Sequence, residues 1–120
     1  MPKTLVIGAS LKPERYSNIA VKRLVENSIK TEAYGLKEGK IGSVQIKTNF
    51  TDLQNIHTVT LYLNPKRQVY IYDDILNLKP KRVIFNPRTE NVEFYNLLEK
   101  QGIEVEVACT LVLLATNQYN

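Results

Sequence analysis

The chain has 120 residues, of which 43% are hydrophobic and 23% charged, and it carries a net charge of +4. This composition is that of a globular protein, and no apolar run approaches the roughly 20 residues of a membrane-spanning helix. The amino terminus also lacks the apolar stretch of a secretion signal, and a single cysteine excludes an internal disulfide. We therefore expect one domain over residues 1–120 and a cytoplasmic location.

Strand and helix patterns begin at the amino terminus. Residues 4–7 form an apolar run that predicts a buried parallel strand, and Gly8 follows it directly. A long polar loop separates this strand from a helix predicted over residues 19–29, with Ser17 or Asn18 as its N-cap. The order of strand, glycine, polar loop and helix is typical of a nucleotide-binding corner.

The next part of the chain contains shorter elements. A second strand is predicted over residues 31–34, and three glycines within residues 35–42 predict a loop. Residues 44–46 are expected to be briefly extended, and residues 51–54 to form a single helical turn. β-branched and aromatic residues then predict a third strand over residues 57–63.

The second half continues the alternation. Asn64 and Pro65 end the third strand, and a helix is predicted from Pro65 to about residue 78 with Val69 among its core positions. The remaining elements are a strand over residues 82–85, a helix over 91–101, a strand over 103–107 and an apolar segment of either type over 110–115. The pattern predicts an α/β fold, a Rossmann-like, doubly wound and mainly parallel five-stranded sheet with helices on both faces.

The loops that leave parallel strands share the carboxyl edge of the sheet, where ligands bind at the reversal of strand order. Four segments are predicted to lie at this edge: residues 8–18, 35–42, 63–67 and 86–90. Their cations are Lys12, Arg15, Lys37, Lys40, Lys66, Arg67 and Arg88. Together with free amides at the helix start near Ser17, they favour a ligand with several phosphates. For each single charge, a solvated surface position is the alternative.

Gly8 is the strongest candidate, because a side chain there would block the close approach of a bound group, although a tight strand exit would also need glycine. The dinucleotide fingerprint G-x-G-x-x-G is absent, since Ser10 and Pro13 occupy its later glycine positions. Tyr34 and Gly35 stand where an acidic residue would hold an adenosine ribose. Ordinary NAD binding is therefore disfavoured.

The opening motif Val6-Ile7-Gly8-Ala9-Ser10-x-x-Pro13-x-Arg15-x-Ser17-x-x-Ala20 resembles the CoA-binding domain family. That family shares its fold with the amino-terminal domain of the succinyl-CoA synthetase α subunit. The resemblance covers almost the whole chain and continues through residues 34–39, 63–65, 86–91 and 106–109. Two departures are Arg88, where the family usually has glycine, and Gly35-Leu36-Lys37, where it has an Asn-Pro-Lys-like turn.

The resemblance implies CoA or acyl-CoA as the ligand. In this interpretation Arg15 pairs with a phosphate, Lys12 and Lys37 act as point charges, and the backbone after the first strand approaches the pyrophosphate or adenosine. Arg88 either clamps a phosphate or obstructs the cleft. The predicted site residues are Gly8, Ala9, Ser10, Lys12, Arg15, Ser17, Lys37, Asn64, Pro65 and Arg88.

A catalytic constellation is hard to find in this sequence. His57 is the only histidine and stands at the amino end of the third strand, and Cys109 therefore has no histidine base. Metal-ligand spacing is missing as well. Tyr62, Tyr70 and Tyr72 are expected in the core or at its rim, with adenine stacking as the alternative.

The preferred interpretation is a stand-alone CoA or acyl-CoA binding protein, non-catalytic by itself, that acts as a carrier, a sensor or a partner subunit. The alternative is a small NAD(P)-binding enzyme or enzyme subunit. A nucleic-acid binder that exploits the pI of about 9.2 is less favoured, because the chain has no basic run. The expected partner is a small-molecule nucleotide ligand, with a protein partner or a homodimer as a further option. We expect neither nucleic acid nor a membrane as a partner.

Overall fold

Seven strands and five α-helices lie within residues 2–120, the part of the chain that the computed structural model describes. None of these helices has the length and apolar character needed to cross a bilayer. The elements are β1 (Lys3–Ile7), α1 (Tyr16–Glu26), β2 (Lys30–Tyr34), β3 (Gly39–Ile41), β4 (Val44–Lys47), β5 (Thr58–Leu61), α2 (Pro65–Gln68), a 3₁₀ turn (Val69–Ile71), α3 (Tyr72–Leu78), β6 (Arg82–Phe85), α4 (Val92–Lys100), β7 (Glu104–Val107) and α5 (Thr110–Ala115).

All seven strands belong to one sheet, in the order β3-β4-β2-β1-β5-β6-β7. Neighbouring strands are parallel except for β3 and β4, which are antiparallel. The chain builds outward from β1 through β2 in one direction and from β5 through β6 in the other. The strand order therefore reverses between β1 and β5, which is the position where doubly wound sheets bind ligands.

Successive residues of the central strands enter hydrophobic cores on opposite faces of the sheet. Leu5 and Ile7 belong to the core beneath α3 and α4, which also contains Ile75 and Phe94. Val6 belongs instead to the other core, with side chains of α1 and α5. Because both faces are covered, the central strands are continuously apolar. The predicted Rossmann-like α/β fold with helices on both faces is confirmed.

The sheet has seven strands rather than the five predicted. Residues 39–41, expected to lie in a loop, form β3 and pair with β4 across a two-residue turn in which Gly42 has a φ of +60°. A glycine at the first position is typical of such tight hairpins. Ile41 and Val44 face each other and are both buried, so tertiary burial stabilises a hairpin whose local sequence resembles a loop.

Several helix predictions also need correction. Helix α1 begins at Tyr16, three residues before the predicted start, and its N-cap is Arg15 rather than Ser17 or Asn18. The helix predicted over residues 65–78 is divided by the 3₁₀ turn, and Val69, expected in the core, is 53% exposed. Residues 51–54, predicted as a single helical turn, contain a turn without helix. Residues 110–115, predicted as either strand or helix, form the helix α5.

Candidate functional site

A cavity of about 710 Å³ opens at the carboxyl edge of the sheet, at the reversal of strand order. It is lined by residues from all four loops that the sequence places at this edge. Pro65 does not line it: this residue begins α2, and the neighbouring Asn64 caps that helix by accepting a hydrogen bond from the Arg67 amide at 3.0 Å. The other predicted site residues all line the cavity, namely Gly8, Ala9, Ser10, Lys12, Arg15, Ser17, Lys37, Asn64 and Arg88.

Two glycines line the cavity where β1 and β2 end. Gly8 has a φ of +92°, and a Cβ there would lie 3.1 Å from the carbonyl carbon of Tyr62. A Cβ on Gly35 would lie only 2.4 Å from the carbonyl oxygen of Ala9. Neighbouring strand exits thus approach each other so closely that a side chain is excluded at Gly35 and crowded at Gly8. The glycine requirement at Gly8 therefore comes from the protein's own packing as well as from any ligand.

The first two backbone amides after β1 already donate hydrogen bonds within the protein. The N–H groups of Gly8 and Ala9 both donate to the carbonyl oxygen of Tyr34, at 3.0 and 2.9 Å. They are not free to bind a phosphate, as a simple backbone cradle would require. These two residues contribute surface to the cavity, and their amides supply no hydrogen-bond donor to an anion.

The start of α1 supplies such donors. Arg15, its N-cap, makes no side-chain capping hydrogen bond, so the first amides of this eleven-residue helix lack a side-chain partner. Ser17 in this first turn lines the cavity. Asn18 holds the preceding loop against the helix, because its Nδ2 donates to the carbonyl oxygen of Ser10 at 2.8 Å. The uncapped turn is thus fixed at the cavity wall, where its dipole favours an anion.

The cavity is strongly cationic. Five basic residues line it, and no aspartate or glutamate does among the described residues. None of the five forms a salt bridge with another described residue. Their charges are therefore available to a ligand. The five are Lys12, Arg15, Lys37, Arg67 and Arg88.

The wall next to β5 and β6 is held by a buried glutamine. Gln68 is fully buried, and its Nε2 donates to the carbonyl oxygens of Leu63 and Thr89, both at 2.8 Å. Its Oε1 accepts from Asn91 Nδ2 at 2.9 Å. Every polar atom of this side chain is used, so the loops after β5 and β6 are fixed relative to each other.

A second buried amide lies below this wall. The Asn86 side chain donates to Thr60 Oγ1 at 2.7 Å and to the carbonyl oxygen of Leu61 at 2.8 Å. Its Oδ1 accepts from the Thr110 amide at 2.8 Å. Asn86 thereby joins β5, β6 and the start of α5 beneath the loop that carries Arg88.

Arg88 itself adopts a φ of +78°, in the left-handed region that favours glycine. The resemblance to the CoA-binding domain family places glycine at this position. The arginine lines the cavity without filling it, since the space of about 710 Å³ remains with its side chain present.

Some cavity residues were not predicted. Arg67 was placed at this edge by the sequence but not among the site residues, whereas Lys40 and Lys66 from the same loops do not line the cavity. The apolar residues that line the cavity give no signal in the sequence, because they resemble ordinary core or surface residues. The additional lining residues are Leu11, Tyr16, Tyr34, Gly35, Leu36, Tyr62, Leu63, Arg67, Pro87 and Thr89.

The tyrosines take different positions. Tyr62 lines the cavity, and its hydroxyl is buried without a hydrogen-bond partner among the described residues. Burial raises the pKa of Tyr62 far above that of a free phenol, so this hydroxyl remains protonated. Tyr72 stacks on Phe94 in the core, whereas Tyr70 is 86% exposed and so does not belong to the core.

Residues that often carry chemistry lie outside the cavity. His57 precedes β5 at the amino edge of the sheet, with Nδ1 2.9 Å from Thr58 Oγ1. Cys109 lies beyond β7 as the N-cap of α5. Across residues 2–120, no group of histidine, cysteine and acidic side chains is arranged to hold a metal ion.

The sequence of this chain matches the model of a known protein family. The model of a family described as CoA binding domain matches residues 2–115, nearly the full length. The chain belongs to the CoA binding domain family. The resemblance recognised in the sequence is thus confirmed. No curated protein was found to match this member of the family.

Solved structures of similar proteins share the fold. The structure of an uncharacterized protein is 42% identical, with 98% of each chain covered and a TM-score of 0.94. A Thermus thermophilus protein is 19% identical, covering 98% of this chain and 90% of its own, with a TM-score of 0.87. A hypothetical protein from Pyrococcus horikoshii is 22% identical, with 98% and 83% covered and a TM-score of 0.86. The last two likenesses concern the fold of this CoA binding domain and nothing further.

Proposed function

We propose that the protein binds CoA or an acyl-CoA in the carboxyl-edge cavity and performs no chemistry on it by itself. The observation that carries this proposal is the charge of the cavity: five unpaired cations and no carboxylate among its described lining residues. CoA carries a 3′-phosphate in addition to its diphosphate. It therefore satisfies more of these cations than NAD, whose only phosphates are the diphosphate.

The dimensions and surface of the cavity support the same ligand. Its volume of about 710 Å³ falls within the range of roughly 300–1,000 Å³ that is common for ligand pockets. The start of α1 favours a phosphate at one wall. Leu11, Tyr16 and Leu36 are exposed apolar side chains on the cavity lining, and they offer contact area for the adenine ring or the pantetheine arm.

A binding role without catalysis is supported by the residue types present. The described cavity lining contains no histidine, cysteine, aspartate or glutamate, so its two serines have no imidazole or carboxylate base beside them to activate a nucleophile. We therefore infer a role as a carrier, a sensor or a subunit of a larger assembly in the cytoplasm. An NAD-dependent enzyme is less well supported, because Tyr34 and not a carboxylate ends β2.

Calorimetric titration with CoA, dephospho-CoA and NAD tests the proposal. We expect CoA to bind most tightly and NAD most weakly. Arg15→Gln should weaken CoA binding by about tenfold or more, since a charge-assisted hydrogen bond contributes about 1.5–3 kcal/mol. Arg23→Gln is the matched control, because Arg23 is an exposed cation of the same helix that does not line the cavity.

Two results would overturn the proposal. One is the failure of CoA to bind, and the other is equal affinity for CoA and NAD. Hydride transfer with NAD(P) would instead support the enzyme alternative.

A further inference from the structure

The five cavity cations fall into two groups on opposite sides of the strand reversal. Lys12 and Arg15 follow β1, and Lys37 follows β2. Arg67 lies in α2 after β5, and Arg88 follows β6. Adjacent strands are about 4.8 Å apart, so β6 lies roughly 10 Å from β1 and roughly 14 Å from β2. A diphosphate bound at the start of α1 therefore lies on the side of the first group.

The second group, Arg67 and Arg88, is hereafter the outer arginine pair. The residues that follow these arginines in the chain, Gln68 and Thr89, are joined directly by the hydrogen bond from Gln68 Nε2 at 2.8 Å. Because Gln68 is fully buried and satisfied, the two arginine backbones are fixed close to each other. The backbone that carries the pair is thus a fixed part of the cavity wall, and the two exposed side chains extend from it without an ion pair among the described residues.

The backbone of Arg88 is a second, independent observation. A φ of +78° is unfavourable for any residue with a side chain, and such strain concentrates at functional positions. Four other residues among 2–120 that are not glycine have a positive φ, and none of them lines the cavity: Ser28, Asn55, Lys79 and Asn117. Arg88 is thus the one residue of these five that lines the cavity, and it carries a positive charge there.

We propose that the outer arginine pair is a second anion subsite, which binds an anionic group of the ligand other than its diphosphate. This inference rests on the proposed binding of CoA. Two guanidinium groups that have no carboxylate partner among residues 2–120 suit a phosphate or a carboxylate, either of which they bind through paired N–H donors. In this class of ligand the group is either the 3′-phosphate or a carboxylate at the end of the acyl chain.

The test compares the affinities of four ligands for wild type, Arg88→Gly and Arg67→Gln. Dephospho-CoA lacks the 3′-phosphate, and succinyl-CoA has a terminal carboxylate that acetyl-CoA lacks. We expect each variant to weaken the ligand that carries the bound group by about tenfold or more, and the matched ligand without it by less than about twofold. A preference of wild type for CoA over dephospho-CoA identifies the phosphate, and a preference for succinyl-CoA over acetyl-CoA identifies the carboxylate.

Arg88→Gly also separates binding from folding. Glycine is the residue that the backbone at position 88 favours, so the thermal midpoint should stay the same or rise. Lys79→Gly is the matched control: Lys79 is an exposed cation with a φ of +51° at the end of α3, outside the cavity. It removes the same charge and the same backbone strain, and we expect it to leave all four affinities unchanged.

The outcomes distinguish the two proposals. If wild type binds CoA but the arginine variants weaken all four ligands equally, or none, the second subsite is overturned while the proposed function stands. If wild type binds none of the CoA derivatives, both proposals fail.

Discussion

Gly8 and Gly102 both have a positive φ, but they lie in different surroundings. Gly8 has a φ of +92° and Gly102 a φ of +74°, which a residue with a side chain adopts only at a cost of about 1–2 kcal/mol. A Cβ at Gly8 would also lie 3.1 Å from backbone and side-chain atoms after β5, whereas a Cβ at Gly102 would meet nothing within 4 Å. Crowding therefore distinguishes the two positions.

We predict that Gly8→Ala lowers the free energy of unfolding by more than Gly102→Ala does. The substitution at Gly102 should cost about 1–2 kcal/mol, since only the backbone is strained. The substitution at Gly8 adds a clash that displaces the floor of the cavity, so it should also reduce CoA affinity. Urea denaturation and calorimetric titration measure the two effects. Equal stability losses, or unchanged CoA affinity in Gly8→Ala, would contradict this account.

At the scale of elements, Glu32 joins three strands through two ion pairs. Its carboxylate on β2 lies 2.8 Å from Lys3 Nζ on β1 and 2.7 Å from Lys47 Nζ on β4. Burial by itself would raise the pKa of Glu32, but the hydrogen bonds and charges of the two lysines outweigh burial and hold it below its ordinary value of 4.5. The ionised form is thus favoured by folding.

A lowered pKa in the folded state stabilises the protein above the pKa of the unfolded chain, and this stabilisation is lost as the pH falls through the lower, folded value. We therefore predict that Glu32→Gln is less stable than wild type at pH 7 and that the difference shrinks below about pH 4.5. Urea denaturation across this range measures it. Glu38→Gln, at an exposed position without an ion pair among the described residues, is the control. A difference that grows in acid would contradict the assignment.

The helix predicted over residues 65–78 shows where a local sequence pattern fails. Helical periodicity continues through residues 65–78, yet the helix breaks at Val69–Ile71. The reason is that the polar Gln68 is buried to join two loops, while Val69 and Tyr70 are exposed. A pattern that assumes apolar residues inside and polar residues outside cannot anticipate this inversion.

At the scale of the whole molecule, the net charge of +4 and the cationic cavity act together on an anionic ligand. The Debye length falls from about 30 Å at 0.01 M salt to about 3 Å at 1 M. We predict that CoA affinity falls by about tenfold or more over this range, because cations and phosphates attract each other less when screened. Titrations at several ionic strengths measure the change, with uncharged adenosine as the control ligand. Salt-independent binding of CoA would mean that the cations do not contact it.

The sequence by itself determined the order of most elements and the edge at which a ligand would bind. The apolar strand over residues 4–7, the glycine after it and the alternation with helices depend on neighbours along the chain, and these are visible in the sequence. Because all strand exits of a parallel sheet share one edge, the order of strands and helices is enough to group the loops that hold Lys12, Lys37 and Arg88.

Only the tertiary structure decided the rest, because it depends on contacts between distant parts of the chain. Strand β3 exists because Ile41 and Val44 are buried against α1 and its neighbours. Gly35 is needed because the carbonyl oxygen of Ala9 lies beside it, 26 residues earlier in the chain. The outer arginine pair is brought together by Gln68, whose partner Thr89 is 21 residues away. Such long-range contacts leave no periodic signal in the residues that make them.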